Sequence, residues 1–184
     1  MRSHLKRRLA EAQARAGDRP ARLAIVGIGN ELGGDDAAGM ALALALKPRL
    51  AHLEAVRVYP AGPAPESFTG PLRRFAPDLA LLVDAAQLDL PPGGLACLDW
   101  EETSGLSACT HCLPLHVFCG YLAAEVGCRV AVVGIQPGVL GLGMGLSPAV
   151  QAGVEELEGM LVEELGRARR QVGARRAPLR GEWG

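Results

Sequence analysis

Three side chains spread widely along the 184-residue chain could act together on one ion, namely Asp36, Asp84 and His111. Two carboxylates and an imidazole offer oxygen and nitrogen ligands suited to a divalent transition ion such as nickel, zinc or cobalt. Three protein ligands leave coordination places open for water or substrate, as a hydrolytic metal site requires. Plainer roles are open to each residue. An aspartate at a helix start caps the helix, and of the pair Asp35–Asp36 that role falls to Asp35. Asp36 then sits at a helix N-terminus, whose partial positive charge favours the ionised, ligating form. Asp84 could instead hydrogen-bond loop amides at a strand end, and His111 could be an ordinary loop histidine.

The elements around these residues favour the joint reading. Leu23 to Ile28 is an apolar run of the kind a buried parallel strand shows, and it breaks at Gly29-Asn30 before the paired acids. A small-residue helix, Ala37 to Leu46, comes next and is expected to stop at Pro48. Glu54 to Tyr59 reads as a second strand, and a short helix is expected around Glu66 to Phe75. Asp78 to Ala85 is a third strand, apolar until Asp84. Leu95 to Trp100 reads as an edge strand, Glu101 to Ala108 as polar loop, and Leu113 to Val126 as a buried helix. Arg129 to Ile135 is the last strand. Ser147-Pro148 supplies an N-cap and a first-turn proline for a helix with Val150, Val154, Leu157, Leu161 and Leu165 at three- and four-residue spacing. Strands alternating with helices make an α/β domain with a mostly parallel sheet, in which sites collect at the carboxyl ends of strands. Asp36, Asp84 and His111 can all reach that rim.

Other chemistries fit less well. Cys109-x-x-Cys112, with His116 and Cys119 nearby, invites a zinc reading. Its spacing matches no closed structural pattern, and two of the four residues fall in an apolar helix. The loop GIGNELGGDD lacks both G-x-G-x-x-G in register and the lysine of a P-loop, and its acids would repel a phosphate. No G-x-S-x-G elbow is present, which argues against a serine mechanism.

Composition narrows the class. A chain that is 49% hydrophobic and 21% charged is globular rather than disordered, and a net charge of −1 gives no field for nucleic acid. No apolar run reaches the roughly 18 residues of a membrane span, and no secretory signal is visible. Five cysteines, an odd number, point to reduced thiols in a cytoplasm. Arginines crowd both ends. Residues 1–22 are read as a basic N-terminal extension, possessing at most a short helix with Leu5, Leu9 and Ala12 on one side. A single domain is expected over 23–171, with 172–184 a disordered tail.

These residues resemble the hydrogenase maturation endopeptidases, which trim the C-terminus of the nickel–iron hydrogenase large subunit. Four segments carry the resemblance in order: VGIGNELGGDDAAG, LLVDAAQLDLPPG, THCLPL and VVGIQPGVLGLGMGLSP. It covers roughly Leu23 to Leu165, and the THxxPL and GIQP wording is most like the branch serving formate-hydrogenlyase-type hydrogenases. The resemblance implies a three-layer α/β fold, with a twisted, mostly parallel sheet of about five strands and helices on both faces. It implies Asp36, Asp84 and His111 as catalytic residues and metal ligands, with no separate cofactor-binding set. The nickel would arrive in the large-subunit precursor, although zinc or another divalent ion could occupy the same place. The implied protein is a cytoplasmic endopeptidase, expected as a monomer, that removes a C-terminal extension without binding nucleic acid or membrane. The competing expectation is a non-catalytic, nickel-sensing partner of the same subunit. Gly141 to Gly145 is expected to form a flexible rim for the substrate tail.

Overall fold

The computed structural model describes residues 1–103 and 114–176, with side chains at 1–101 and 114–168. Its elements are α1 (Arg2–Ala16), β1 (Leu23–Ile28), α2 (Ala38–Leu50), β2 (Val56–Gly62), α3 (Thr69–Phe75), β3 (Leu79–Ala85), β4 (Leu95–Asp99), α4 (Leu115–Tyr121), β5 (Arg129–Ile135) and α5 (Pro148–Arg176). The strands form one sheet in the order β2-β1-β3-β5-β4. All neighbours are parallel except β4, which runs antiparallel to β5 at an edge.

Alternation along the central strands divides the core into two layers. Leu23, Ile25, Leu79, Leu81 and Val83 pack with α1, α2 and α5. Ala24, Val26, Ala80 and Leu82 pack on the other face with Leu72 of α3 and with Leu115, Phe118 and Cys119 of α4. Every residue of β1 and β3 is buried. Both faces being covered explains their unbroken apolar runs, and the result is the three-layer arrangement expected.

Connectivity fixes where a site can form. The α2 crossover carries the chain from β1 to β2 on one face, and α3 carries it back over the other face to β3. The chain therefore changes direction between β1 and β3, which are paired directly. The crevice at the carboxyl ends of such a strand pair is the usual place for a site in open α/β sheets.

Several boundaries differ from expectation for physical reasons. Pro48 does not stop α2, which runs on to Leu50. A proline there removes the bond to the carbonyl of Leu44, whose side chain is exposed, while Leu50 extends the buried stripe of Leu42 and Leu46. Burial of Leu50 outweighs the lost bond. β2 begins and ends later than expected because its pairing partner β1 sets the register, with Leu23 opposite Val56. The buried helix ends as α-helix at Tyr121 and continues as a π-helical turn from Leu122 to Val126. Its expected start at Leu113 and most of the polar loop before it lie outside the described residues.

The basic N-terminal stretch is tied into the domain. Leu5 and Ala12 of α1 are buried in the core, and Leu9 packs against it. Its arginines find acids on other elements: Arg2 meets Glu163 of α5 at 2.7 Å, and Arg8 pairs with Asp99 of β4. Just beyond α1, Arg19 grips the buried Asp78 with two bonds of 2.7 and 2.6 Å. At the other end α5 continues through Arg176, past the position where a tail was expected; 177–184 lie outside the described residues.

The approach of α2 to the sheet depends on Gly39. A Cβ there would stand 2.2 Å from the Val83 carbonyl oxygen and 2.4 Å from that of Ile28. Both atoms belong to central strands and cannot move aside. Gly39→Ala should therefore push α2 off β1 and β3, destabilising the protein by roughly 2–3 kcal/mol, read as a lower urea midpoint. A midpoint equal to that of the parent would show that this contact does not limit the packing.

Candidate active site

The chain leaves β1 through Gly29, at φ 128°, a backbone conformation suited to glycine. Any Cβ there would also lie 1.8 Å from the Asp36 carbonyl oxygen. This turn lets the segment after β1 fold back over the strand end. The segment closes in a short 3-10 turn, Asp35–Ala37, which runs directly into α2. Consecutive residues of so tight a turn point in different directions, and the two aspartates separate accordingly.

Asp35 turns to the loop before α5. It is fully buried, and its carboxylate accepts hydrogen bonds from the Gly138 N–H at 2.8 Å, the Val139 N–H at 2.6 Å and the Ser147 N–H at 2.6 Å. The Ser147 hydroxyl donates a fourth at 2.9 Å. Burial alone would push this carboxyl up, but the three amides and the hydroxyl outweigh it and hold Asp35 below the ordinary carboxylate range. The expectation that Asp35 caps α2 is therefore corrected: neither acid makes a side-chain cap there. Asp35 instead fastens the loop after β1 to the loop before α5. The helix that does carry its expected cap is α5, where the Ser147 hydroxyl accepts from the Val150 N–H at 3.5 Å.

Asp36 is half-buried and turns toward the strand ends, accepting the Asn30 N–H at 3.0 Å. Asp84, the penultimate residue of β3, is buried and accepts the N–H of Ala85 at 2.9 Å. Its partner on β5 is Gly134, which places no side chain beside it. Burial and then the negative charge of Asp36 push the Asp84 carboxyl up to about 7, against the weaker pull of the Ala85 amide. The two carboxylates thus sense each other at the point where the sheet changes direction. A shared cation is the simplest partner for such a pair, since it relieves both the burial and the repulsion.

His111 lies outside the described residues, as do Cys109 and Cys112. Of the three expected ligands, Asp36 and Asp84 are placed at one rim. Among the described residues there is no group of three His, Cys, Asp or Glu side chains able to hold a metal ion. The described cysteines Cys97, Cys119 and Cys128 are free thiols. Burial pushes Cys119 up to about 12 and Cys128 up to about 11, so neither offers a ready thiolate.

One further organiser escaped sequence reasoning. Gln136 is buried at the end of β5; its Oε1 accepts the Leu88 N–H at 2.7 Å, and its Nε2 donates to Gln87 at 2.9 Å. Its backbone exchanges bonds of 2.8 Å with Gly93 and Gly94. It thereby shapes the loop after Asp84. The signal was a lone amide directly after an apolar strand, in the GIQP segment.

Comparison with known proteins decides the family. The profile described as HycI, hydrogenase maturation protease, matches residues 40–164, a span that includes Asp84 and His111 and begins after Asp36. The chain belongs to the hydrogenase maturation proteases. The hydrogenase 3 maturation protease of Escherichia coli K12 is 31% identical over 131 residues, covering 70% of this chain and 81% of that protein. The crystal structure of HycI, a [NiFe] hydrogenase maturation protease from Thermococcus kodakarensis, is similar with a TM-score of 0.73 at 34% identity, covering 79% of this chain and 93% of that one. The solution structure of the endopeptidase HycI from Escherichia coli gives a TM-score of 0.63 at 27% identity over 75% and 87% of the two chains. The protein is thus an endopeptidase that processes the C-terminus of the [NiFe]-hydrogenase large subunit, and the precursor of that subunit is its substrate. The reading as a non-catalytic partner gives way.

Two measurements probe the two acids separately. Asp35→Asn replaces an ionised acceptor of four bonds by an amide that must turn a donor toward other donors. It should cost about 2–4 kcal/mol, measured by urea denaturation at pH 7; a loss within experimental error would mean the clamp is dispensable. For Asp84, the raised carboxyl means that the folded chain holds a proton which the unfolded chain has released, between about pH 4 and about pH 7. Stability of the metal-free protein should fall as pH rises through that window. Asp84→Asn should remove the fall, leaving the variant more stable at pH 8 by on the order of a few kcal/mol and equal to the parent below pH 4. Parallel pH profiles would contradict the shift.

Proposed function

We propose that Asp36, Asp84 and His111 form the cleavage site and together hold the nickel that the large-subunit precursor brings with it. The observation that supports this most directly is the pairing of a buried carboxyl, Asp84, with the charge of Asp36 at the sheet's change of direction. Such a pair is poorly served by water and well served by a divalent ion. An ion there would supply polarisation of the scissile carbonyl and acidification of an attacking water. The chain's own residues do the rest. Asp36, fixed by the Asn30 amide, would hold one side of the ion, and the ionised Asp84 carboxylate would hold another. His111 contributes a neutral nitrogen ligand. Nickel suits this mixed oxygen and nitrogen set, and zinc could replace it.

The enzyme is proposed to act in the cytoplasm as a monomer, on a protein substrate and not on nucleic acid or a membrane surface. Its free thiols fit a reducing compartment. Among the described residues no helix is long and apolar enough to cross a membrane.

Incubation of purified protein with nickel-loaded precursor tests the site. The parent should shorten the large subunit, whereas His111→Ala, Asp84→Ala and Asp36→Ala should each leave it at full length while keeping the parent's circular dichroism. Normal shortening by any one of these variants would remove that residue from the site.

A further inference from the structure

The loop that Asp35 clamps presents apolar side chains to water. Among the described residues, eight large hydrophobic side chains are exposed, and five of them lie on the two loops beside Asp36: Leu32, Val139, Leu140, Leu142 and Met144. Leu142 is 85% exposed and Leu32 63%. Scattered single leucines on a surface need no explanation, but a contiguous set marks an interaction site.

Backbone pairing draws together the two loops that carry the set. Gly33 bridges to Met144 and Gly34 to Leu140. The Gly143 N–H donates to the Leu32 carbonyl at 2.8 Å, and the Asp35 N–H to that of Val139 at 2.9 Å. Glycines at 141, 143 and 145 separate the apolar residues, and no charged residue occurs from Pro137 to Ser147. This loop is bonded to the loop that carries Asp36, and a buried carboxylate holds both of its ends. A surface fixed in advance loses less freedom when a partner covers it.

We infer that this patch is a docking surface for the folded large-subunit precursor, receiving an apolar segment of that protein while its C-terminal tail enters the crevice. The inference rests on Asp36 and Asp84 being the cleavage site. Continuity with that site selects the occupant. The loop bearing Leu32 leads within four residues to Asp36, so a protein brought to the carboxylates meets the patch.

The test measures processing of nickel-loaded precursor by Leu142→Ser and by the double variant Leu140→Ser, Leu142→Ser. Asp36→Asn provides the site control, and Leu44→Ser, an exposed leucine in the middle of α2 and outside both loops, provides the surface control. The double variant should raise KM for the precursor at least tenfold with kcat within about twofold, and Leu44→Ser should match the parent. Size-exclusion profiles should be the same for all. An unchanged KM in the double variant would overturn the inference, as would a loss confined to kcat. So would a change of oligomeric state relative to the parent, which would assign the patch to self-association. Continued processing by Asp36→Asn would instead overturn the site assignment, a result separable from the KM comparison.

Discussion

A carboxylate cut off from water has to find donors within the protein, and Asp35 finds all of its donors on a loop more than 100 residues away. Charge-assisted bonds to backbone amides are stronger than neutral ones, and here they join the segment after β1 to the segment before α5. The rest of the site hangs on this join. It fixes the turn from which Asp36 projects, it supplies through Ser147 the start of α5, and it sets the outer loop against the crevice.

The second acid pair works by opposition. Asp84 is held in a dry place at the end of a central strand, and the charge of Asp36 raises its carboxyl further. The folded chain therefore keeps a raised carboxyl at the end of β3, a state that a bound cation would relieve. Perturbed carboxyls of this kind cluster at functional sites. Gln136 completes the frame by shaping the loop after Asp84 with both its side chain and its backbone.

Much of this was legible in the chain. β1 and β5 lie within the apolar runs that Gly29 and Pro137 terminate, and α5 keeps to its apolar spacing from a serine–proline start. Asp36 and Asp84 could be placed at one rim because parallel strands bring their carboxyl ends together. The features that escaped reading depended on distant partners. Asp35 looked like a cap because local rules consider only local donors, and its true donors are set by the fold. Pro48 looked like a stop because the burial of Leu50 cannot be seen from the helix alone. The packing of α1 was hidden by its arginines, whose acids lie on α5 and β4.

Asp35 and Asp36 are neighbours in the chain with unrelated duties, and a single tight turn keeps those duties apart. With about three residues per revolution in such a turn, adding or deleting one residue within Asp35–Ala37 would rotate the side chains on either side of the change by about 120° relative to each other. The carboxylate meant for the crevice would swing toward the outer loop, and its neighbour would lose its amides. The spacing of this segment is therefore as much a part of the enzyme as its composition, and it should resist changes of length that surface loops elsewhere absorb.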